Sequence, residues 1–220
     1  MCFSPEFSFG AGAILTVVGA ASIRKATGVS QKVFAGIPII FSLQQIIEGF
    51  LWLALTRPGY EELGDITTHI FLFMAQVVWP AYVPVSVLLL GGKGVGKKWL
   101  RLMAFTGILV SVYQLIQLYF FPVSAFVSEM HIVYQQRYPP TPFHLLTILY
   151  LMVTILPPFF SAQKKMWMLG AAVFFSSAIT QMLFTNSFIS VWCFFAALIS
   201  VVVYVILAEM NPPILRSASA

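Results

Sequence analysis

Residues Phe41–Leu55 read FSLQQIIEGFLWLAL. The run is apolar enough to lie in a hydrocarbon layer, yet it carries Gln44, Gln45 and Glu48. At about 100° per helical residue these three and Trp52 fall within an arc of roughly 100°, on one face. An ionisable side chain at the middle of a membrane helix costs a few kcal/mol or more, and such groups face a bundle interior or a wet cavity rather than lipid. The segment therefore predicts neighbours, and a chain that crosses the bilayer several times.

Composition agrees. Hydrophobic residues make up 60% of the 220 and charged residues only 9%, with a mean hydropathy of +0.91. A soluble domain carries about a quarter charged residues, and 21 Phe with five Trp exceed what one water-soluble core of this size would hide. The reading is all-α, a polytopic membrane protein in contact with the lipid bilayer. The net charge of +5 does not point to nucleic acid. The basic residues are scattered through short loops, where they set membrane orientation. Two cysteines are too few for a disulfide framework.

Seven runs approach the roughly 20 residues that a bilayer requires: 7–23, 34–55, 67–90, 102–120, 144–160, 166–184 and 188–207. The breaks between them are RKATGVSQK, TRPGYEELGD, GGKGVGKK, the long FPVSAFVSEMHIVYQQRYPPTP, SAQKK and TNS. Pro80 and Pro84 are expected to kink or unwind the third run. The N-terminus lacks a basic region and a cleavage site, so the first run is expected to stay in the protein. Arg24, Lys25 and Lys32, then Lys93, Lys97, Lys98 and Arg101, then Lys164 and Lys165 sit in the odd-numbered loops, whereas the second loop holds Glu61, Glu62 and Asp65. By the positive-inside rule the odd loops and the C-terminus are cytoplasmic and the N-terminus is outside. The whole chain reads as a single seven-helix transmembrane domain, placed in the bacterial inner membrane.

With that orientation Glu48 lies roughly 10 Å below the outer end of its helix. Other runs place polar residues at similar depth: Gln76, the neighbours Gln114 and Gln117, Gln181 with Ser177 and Thr180, and Ser190 with Cys193. The inner halves are almost wholly aliphatic and aromatic. The expectation is an outward-facing polar pocket built from Gln44, Gln45, Trp52, Gln76, Gln114, Gln117 and Gln181 around Glu48. The competing reading makes these residues hydrogen-bonding ties between helices, each worth about 1 kcal/mol or less. The fourth loop is longer than a turn needs and unusually apolar, with Phe126, Val127, Met130, Ile132, Val133 and Tyr134. It reads either as a short hairpin folded over the bundle mouth, a lid carrying His131 towards Glu48, or as a loop packed for stability alone.

The start MCFSPEFSFGAG, then FSLQQIIEGFLW, VVWPAYVPVSVLLL, HIVY and SVWCFFAALIS resemble a family of bacterial multi-pass membrane proteins of unknown function. Its members begin Met-Cys-Phe-Ser and carry a Phe-x-x-Gln-Gln-x-x-Glu-Gly-x-x-Trp helix. The resemblance runs from Met1 to Ser200 and implies a multi-pass bacterial membrane protein, with no activity attached. The residues that carry it include Cys2, Glu48, His131 and Cys193, all on the outer side. Thiolate, imidazole and carboxylate in a set of four form a zinc-type ligand set, with His69 and His144 as alternatives to His131. Close ligand spacing is missing, since the four come from distant segments. Cys193 as a small buried hydrophobe and a Cys2–Cys193 disulfide stay open beside the metal reading.

Retinal is not expected, because the last run has no lysine to form a Schiff base. The dry inner half argues against a simple ion path, and no matched, broken halves of an inverted-repeat transporter are visible. Two classes remain. One is a membrane-embedded, metal-dependent enzyme with Glu48 as general base. The other is a non-catalytic sensor or partner subunit whose pocket takes a small ligand, whereas the enzyme would act on a lipid, a small molecule or water.

Overall fold

The computed structural model describes residues 4–91, 95–128, 130–139 and 143–212. Six of its helices are long and apolar enough to cross a membrane: Pro5–Lys25, Val29–Thr56, Glu61–Leu90, Gly96–Phe120, Met166–Leu183 and Thr185–Met210. In chain order, α1 is Pro5–Lys25, and the second helix is broken at Gly36 into α2 (Val29–Ala35) and α3 (Ile37–Thr56). The third comprises α4 (Glu61–Leu72), a wide π turn over Phe73–Val78, and α5 (Trp79–Leu90), which ends at Gly91 in the left-handed region with φ 99°. Next come α6 (Val95–Phe120) and the strands β1 (Val123–Ser128) and β2 (His131–Gln136). The fifth expected span is a shorter helix, α7 (Phe143–Ile155), continued by a 3-10 turn at Pro157–Phe160. Helix α8 (Met166–Leu183) follows, and the last run bends at Ser200 into α9 (Phe188–Ile199) and α10 (Val201–Met210).

Close backbone approach sets the packing of α1 on α3. A Cβ at Gly12 would stand 2.7 Å from Ile46, and one at Gly19 2.4 Å from Ile39. Small residues let membrane helices approach this closely, where dispersion and interhelical hydrogen bonds replace the hydrophobic effect. The hydrogen bonds are present here. Ser42 Oγ donates to the Gly12 carbonyl at 2.8 Å, and Thr16 Oγ1 lies 2.7 Å from Ser42 Oγ. Helix α6 crosses α5 still more tightly at Gly107, directly over the Pro80 carbonyl.

Contacts between loops define the two ends of the bundle. At one end Asn211 donates to the Lys25 carbonyl at 3.1 Å and to Gln31 Oε1 at 2.7 Å. Lys165 pairs with Glu209 there, and the Ala162 amide donates to the Gly91 carbonyl. The β hairpin closes the opposite end. Its strands pair antiparallel, Val123 with Gln136 through Ser128 with His131. Ile132, wholly buried, packs with Leu51 and Trp52, and the Tyr134 ring stacks on Phe71 at 4.9 Å. The apolar fourth loop therefore does fold onto the bundle, as a hairpin whose Ile132 side is its inner face.

The wide turn at Phe73–Val78 is the form that the disturbance expected from the prolines takes. In a regular α-helix Pro80 would leave the Gln76 carbonyl without a donor. In the wider i→i+5 register the missing amide is the one that would reach Ala75, and the Tyr150 hydroxyl of α7 donates to the Ala75 carbonyl instead. The prolines widen the helix and fasten it to α7.

Candidate functional site

Glu48 is the centre of the buried polar residues. Gln44, Gln45 and Glu48 are each 0% exposed, as the one-face reading of α3 requires. Ser190 Oγ donates to Glu48 Oε1 at 2.6 Å, joining α9 to α3, and Gln45 Nε2 reaches Oε2 at 3.3 Å. Trp79 Nε1 donates to Gln44 Oε1 at 2.8 Å, and the Trp79 ring stacks on Phe41 with centroids 3.9 Å apart. The Cys193 thiol, buried and free of any disulfide to a described residue, neighbours Gln44 and the Glu48 carboxylate. A carboxylate surrounded by donors from its own and a facing helix is a group the fold is built to keep polar.

Beyond Cys193 lies a cavity of about 150 Å³, lined by Gln76, Gln114, Gln117, Gln136, Trp192 and Cys193 among others. Its volume corresponds to roughly five water molecules of liquid at about 30 Å³ each. Gln114, Gln117 and Trp192 are more than nine-tenths buried. Even so, Gln114 Oε1, Gln117 Oε1, Gln136 Nε2 and Trp192 Nε1 have no hydrogen-bond partner among the described residues. Leaving a buried polar atom unsatisfied costs about 1–3 kcal/mol, so four such atoms on side chains that line one cavity mark a place for a hydrogen-bonding guest. Elsewhere the lining is tied in place. Gln117 Nε2 donates to the Tyr113 hydroxyl at 2.6 Å, and the Tyr138 hydroxyl donates to Gln76 Oε1 at 3.3 Å.

Tyr138 follows the hairpin and closes the cavity from above. Burial pushes its phenol up to about 12, from an ordinary value near 10. A raised folded value means that its contribution is complete below about pH 10 and is lost as the pH climbs towards 12. In an ultraviolet titration of phenolate in detergent, Tyr138→Phe is expected to remove one component that titrates near pH 12 and to leave those that titrate earlier unchanged.

The other sequence candidates separate in space. Gln181 is exposed and lines a different, lateral groove. Trp52 is buried under the hairpin beside Leu51 and Ile132, with its Nε1 unpartnered among the described residues. His131 packs its ring edge-to-face on Phe184 at 5.1 Å, and strand alternation gives it the hairpin face opposite to Ile132. His69 is exposed, with Nδ1 2.8 Å from the Asp65 carbonyl. Of the four zinc-type ligands, Glu48 and Cys193 are brought together. Cys2 lies outside the described residues, as does the side chain of His144. Among the described residues no three of His, Cys, Asp and Glu stand within reach of one metal ion.

Sequence reasoning did not select Trp79, Gln136, Tyr138, Tyr150 or Trp192. Gln136 was within reach of a period-two reading, since Ile132, Tyr134 and Gln136 share one strand face. The tryptophans carried no such signal, because an indole in an apolar helix looks like core until its N–H is seen to lack or find a partner.

Residues 1–218 match a family described as a family of unknown function (DUF6629). The chain belongs to this family. No curated protein and no solved structure matches it. Membership of DUF6629 assigns no chemistry, so the buried carboxylate and the glutamine cavity have to speak for its function.

Proposed function

We propose that this DUF6629 protein is a bacterial inner-membrane protein of seven crossings, N-terminus outside, whose glutamine cavity binds the polar group of a small uncharged ligand. The observation that carries the reading is that Gln114, Gln117, Gln136 and Trp192 line one cavity and each holds a buried polar atom without a partner among the described residues. Both donors and acceptors are present, and among the described residues no Asp, Glu, Lys or Arg lines it, so a neutral hydrogen-bonding guest fits better than an ion. Glu48 stands behind Cys193 as the element that orients Ser190 and Gln45.

The seven crossings rest on loop contacts and length. The chain passes from the hairpin to the end holding Gly91, Lys165 and Asn211 through α7 and its 3-10 turn. Together these reach roughly 28 Å, close to a hydrocarbon core of about 30 Å. The lysine-bearing loops meet at that same end, which supports a cytoplasmic assignment for it.

A second reading, a zinc-dependent membrane enzyme with Glu48 as general base, draws on the neighbouring Cys193 and Glu48. Cys2 and His131 would complete its ligand set. One preparation separates the two. Purified protein is analysed by mass spectrometry for organic molecules in its extract and for transition metals, beside a Gln114→Leu, Gln117→Leu variant. The expected result is a neutral small molecule in near-stoichiometric amount, lost in the variant while the protein stays folded. Near-stoichiometric zinc that disappears with Cys193→Ser and Cys2→Ser replaces this reading with the second. No bound molecule, together with a variant that melts well below wild type, reduces the glutamines to ties between helices.

A further inference from the structure

A second, larger concavity of about 890 Å³ opens between α7 and α8, within the 300–1,000 Å³ range of ligand pockets. Its deep part is hydrocarbon, with Leu151, Met152, Ile155 and Leu156 from α7 and Phe174 and Ala178 from α8. Towards the hairpin it turns polar, with Thr147, Ser177, Gln181 and Asn186. The groove is flanked on the lateral surface by Ile148 and Phe175, both more than half exposed. It shares Gln136, Tyr138, Thr147, Phe188 and Ile189 with the glutamine cavity. The two are therefore adjoining compartments, one polar and interior, the other apolar and open to the side.

Resting on the ligand-binding reading above, we infer that the guest is a single-chain amphiphile. Its uncharged, hydrogen-bonding headgroup sits in the glutamine cavity, and its hydrocarbon chain lies in the groove between α7 and α8. Four observations carry this. The groove's polarity runs in one direction, polar at the hairpin end and apolar towards Leu156, as an outer-leaflet lipid runs from head to chain. From Thr147 to Leu156 the helical rise amounts to roughly 14 Å, about one leaflet of a core near 30 Å thick. Among the described residues neither compartment is lined by a charged side chain, so an anionic or cationic head would be buried without a counter-ion, at heavy cost. The unpartnered Gln114, Gln117 and Trp192 atoms supply the donors and acceptors that a hydroxylated head requires.

The test uses the full chain in phosphatidylcholine nanodiscs with a monoacylglycerol carrying a diazirine at mid-chain. After illumination, labelled peptides are mapped by mass spectrometry. Label is expected on residues 145–156 and 174–181, in excess over the exposed α6 face at Phe105, Ile108 and Leu109, and displaced by unlabelled monooleoylglycerol. Ala178→Trp, which fills the groove from a half-buried position, is expected to cut that label about tenfold or more, with an unchanged melting temperature. Gln114→Leu is expected to weaken competition about tenfold, the loss of one buried hydrogen bond. A fatty-acid probe of the same chain is expected to label about a hundredfold less, because its carboxylate finds no cation. Label spread evenly over every lipid-facing helix overturns the inference. So does groove labelling that Ala178→Trp leaves intact. If a neutral molecule still co-purifies while the groove stays unlabelled, the amphiphile inference falls and the cavity reading stands. If Ala178→Trp abolishes the label but Gln114→Leu changes nothing, the head is placed elsewhere and the cavity reading falls.

Discussion

Replacing Gly107 by alanine is expected to remove most of the folded protein. A Cβ built at Gly107 stands 2.0 Å from the Pro80 carbonyl oxygen, 3.0 Å from its carbon and 3.1 Å from Pro84 Cγ. Real Cβ atoms essentially never come closer than 3.0 Å to a neighbour, so α5 and α6 would have to part by about 1 Å. The obstacle is backbone, not the end of a flexible side chain, and no rotamer change relieves it. The cause lies four residues further on. Pro84 has no amide to give to the Pro80 carbonyl, and α6 comes down over that carbonyl at Gly107. Overpacking a core with side chains costs about 1–3 kcal/mol, and a backbone collision belongs among the exceptional losses above about 4 kcal/mol. Fluorescence-detected size exclusion in detergent reads the result. The monodisperse peak should collapse for Gly107→Ala and persist for Gly10→Ala, where an added Cβ meets nothing within 4 Å. A stable, monodisperse Gly107→Ala protein would contradict the α5–α6 crossing described here.

Glu48→Leu is expected to destabilise by about 2–6 kcal/mol, because it strips the acceptor from two buried donors at about 1–3 kcal/mol each. Those donors are Ser190 Oγ and Gln45 Nε2. At roughly 2–4 °C per kcal/mol for a chain of this size, the melting temperature should fall by about 10 °C. Replacing buried ionic groups by hydrocarbon is often neutral or stabilising when the whole set goes together. The loss should accordingly shrink in Glu48→Leu, Ser190→Ala, and the double-mutant cycle should show coupling of about 1 kcal/mol or more between the two positions. Glu48→Gln keeps an acceptor and the shape, and should cost less than either single truncation. Should Glu48→Leu melt at or above wild type, the carboxylate is retained for chemistry rather than for structure. The zinc and general-base reading would then gain at the expense of the ligand-binding one.

These two residues show how differently the sequence exposes its content. Glu48 could be found by reading alone, because a carboxylate, two glutamines and a tryptophan on one helical face are anomalous in an apolar run. The burial of all three polar groups agrees with that reading. Gly107 sits in AFTGILV without a signal. Its importance depends on a carbonyl 27 residues earlier, freed by a proline, and on the crossing that brings the two together. The hairpin was partly legible: an apolar loop too long for a turn had to cover something. The π turn was not, because two prolines announce a disturbed helix without stating which carbonyl will need a new donor.

By itself the sequence determined the helical class, with six helices long and apolar enough to cross a membrane, and the polar face of α3 that is buried. Each of these follows from local quantities, namely hydropathy over about 20 residues and the 100° helical period. Only the tertiary structure decided how the polar residues divide. Glu48, Gln45 and Ser190 close on one another across 142 residues of chain. Gln76, Gln114, Gln117 and Gln136 instead surround a cavity, and Gln181 is left in the groove beyond it. Periodicity reports which face of a helix is polar. Which other face it meets is set by the glycine-mediated approaches and proline-widened turn that fix the helix crossings, and those are properties of pairs of helices rather than of any one stretch of chain.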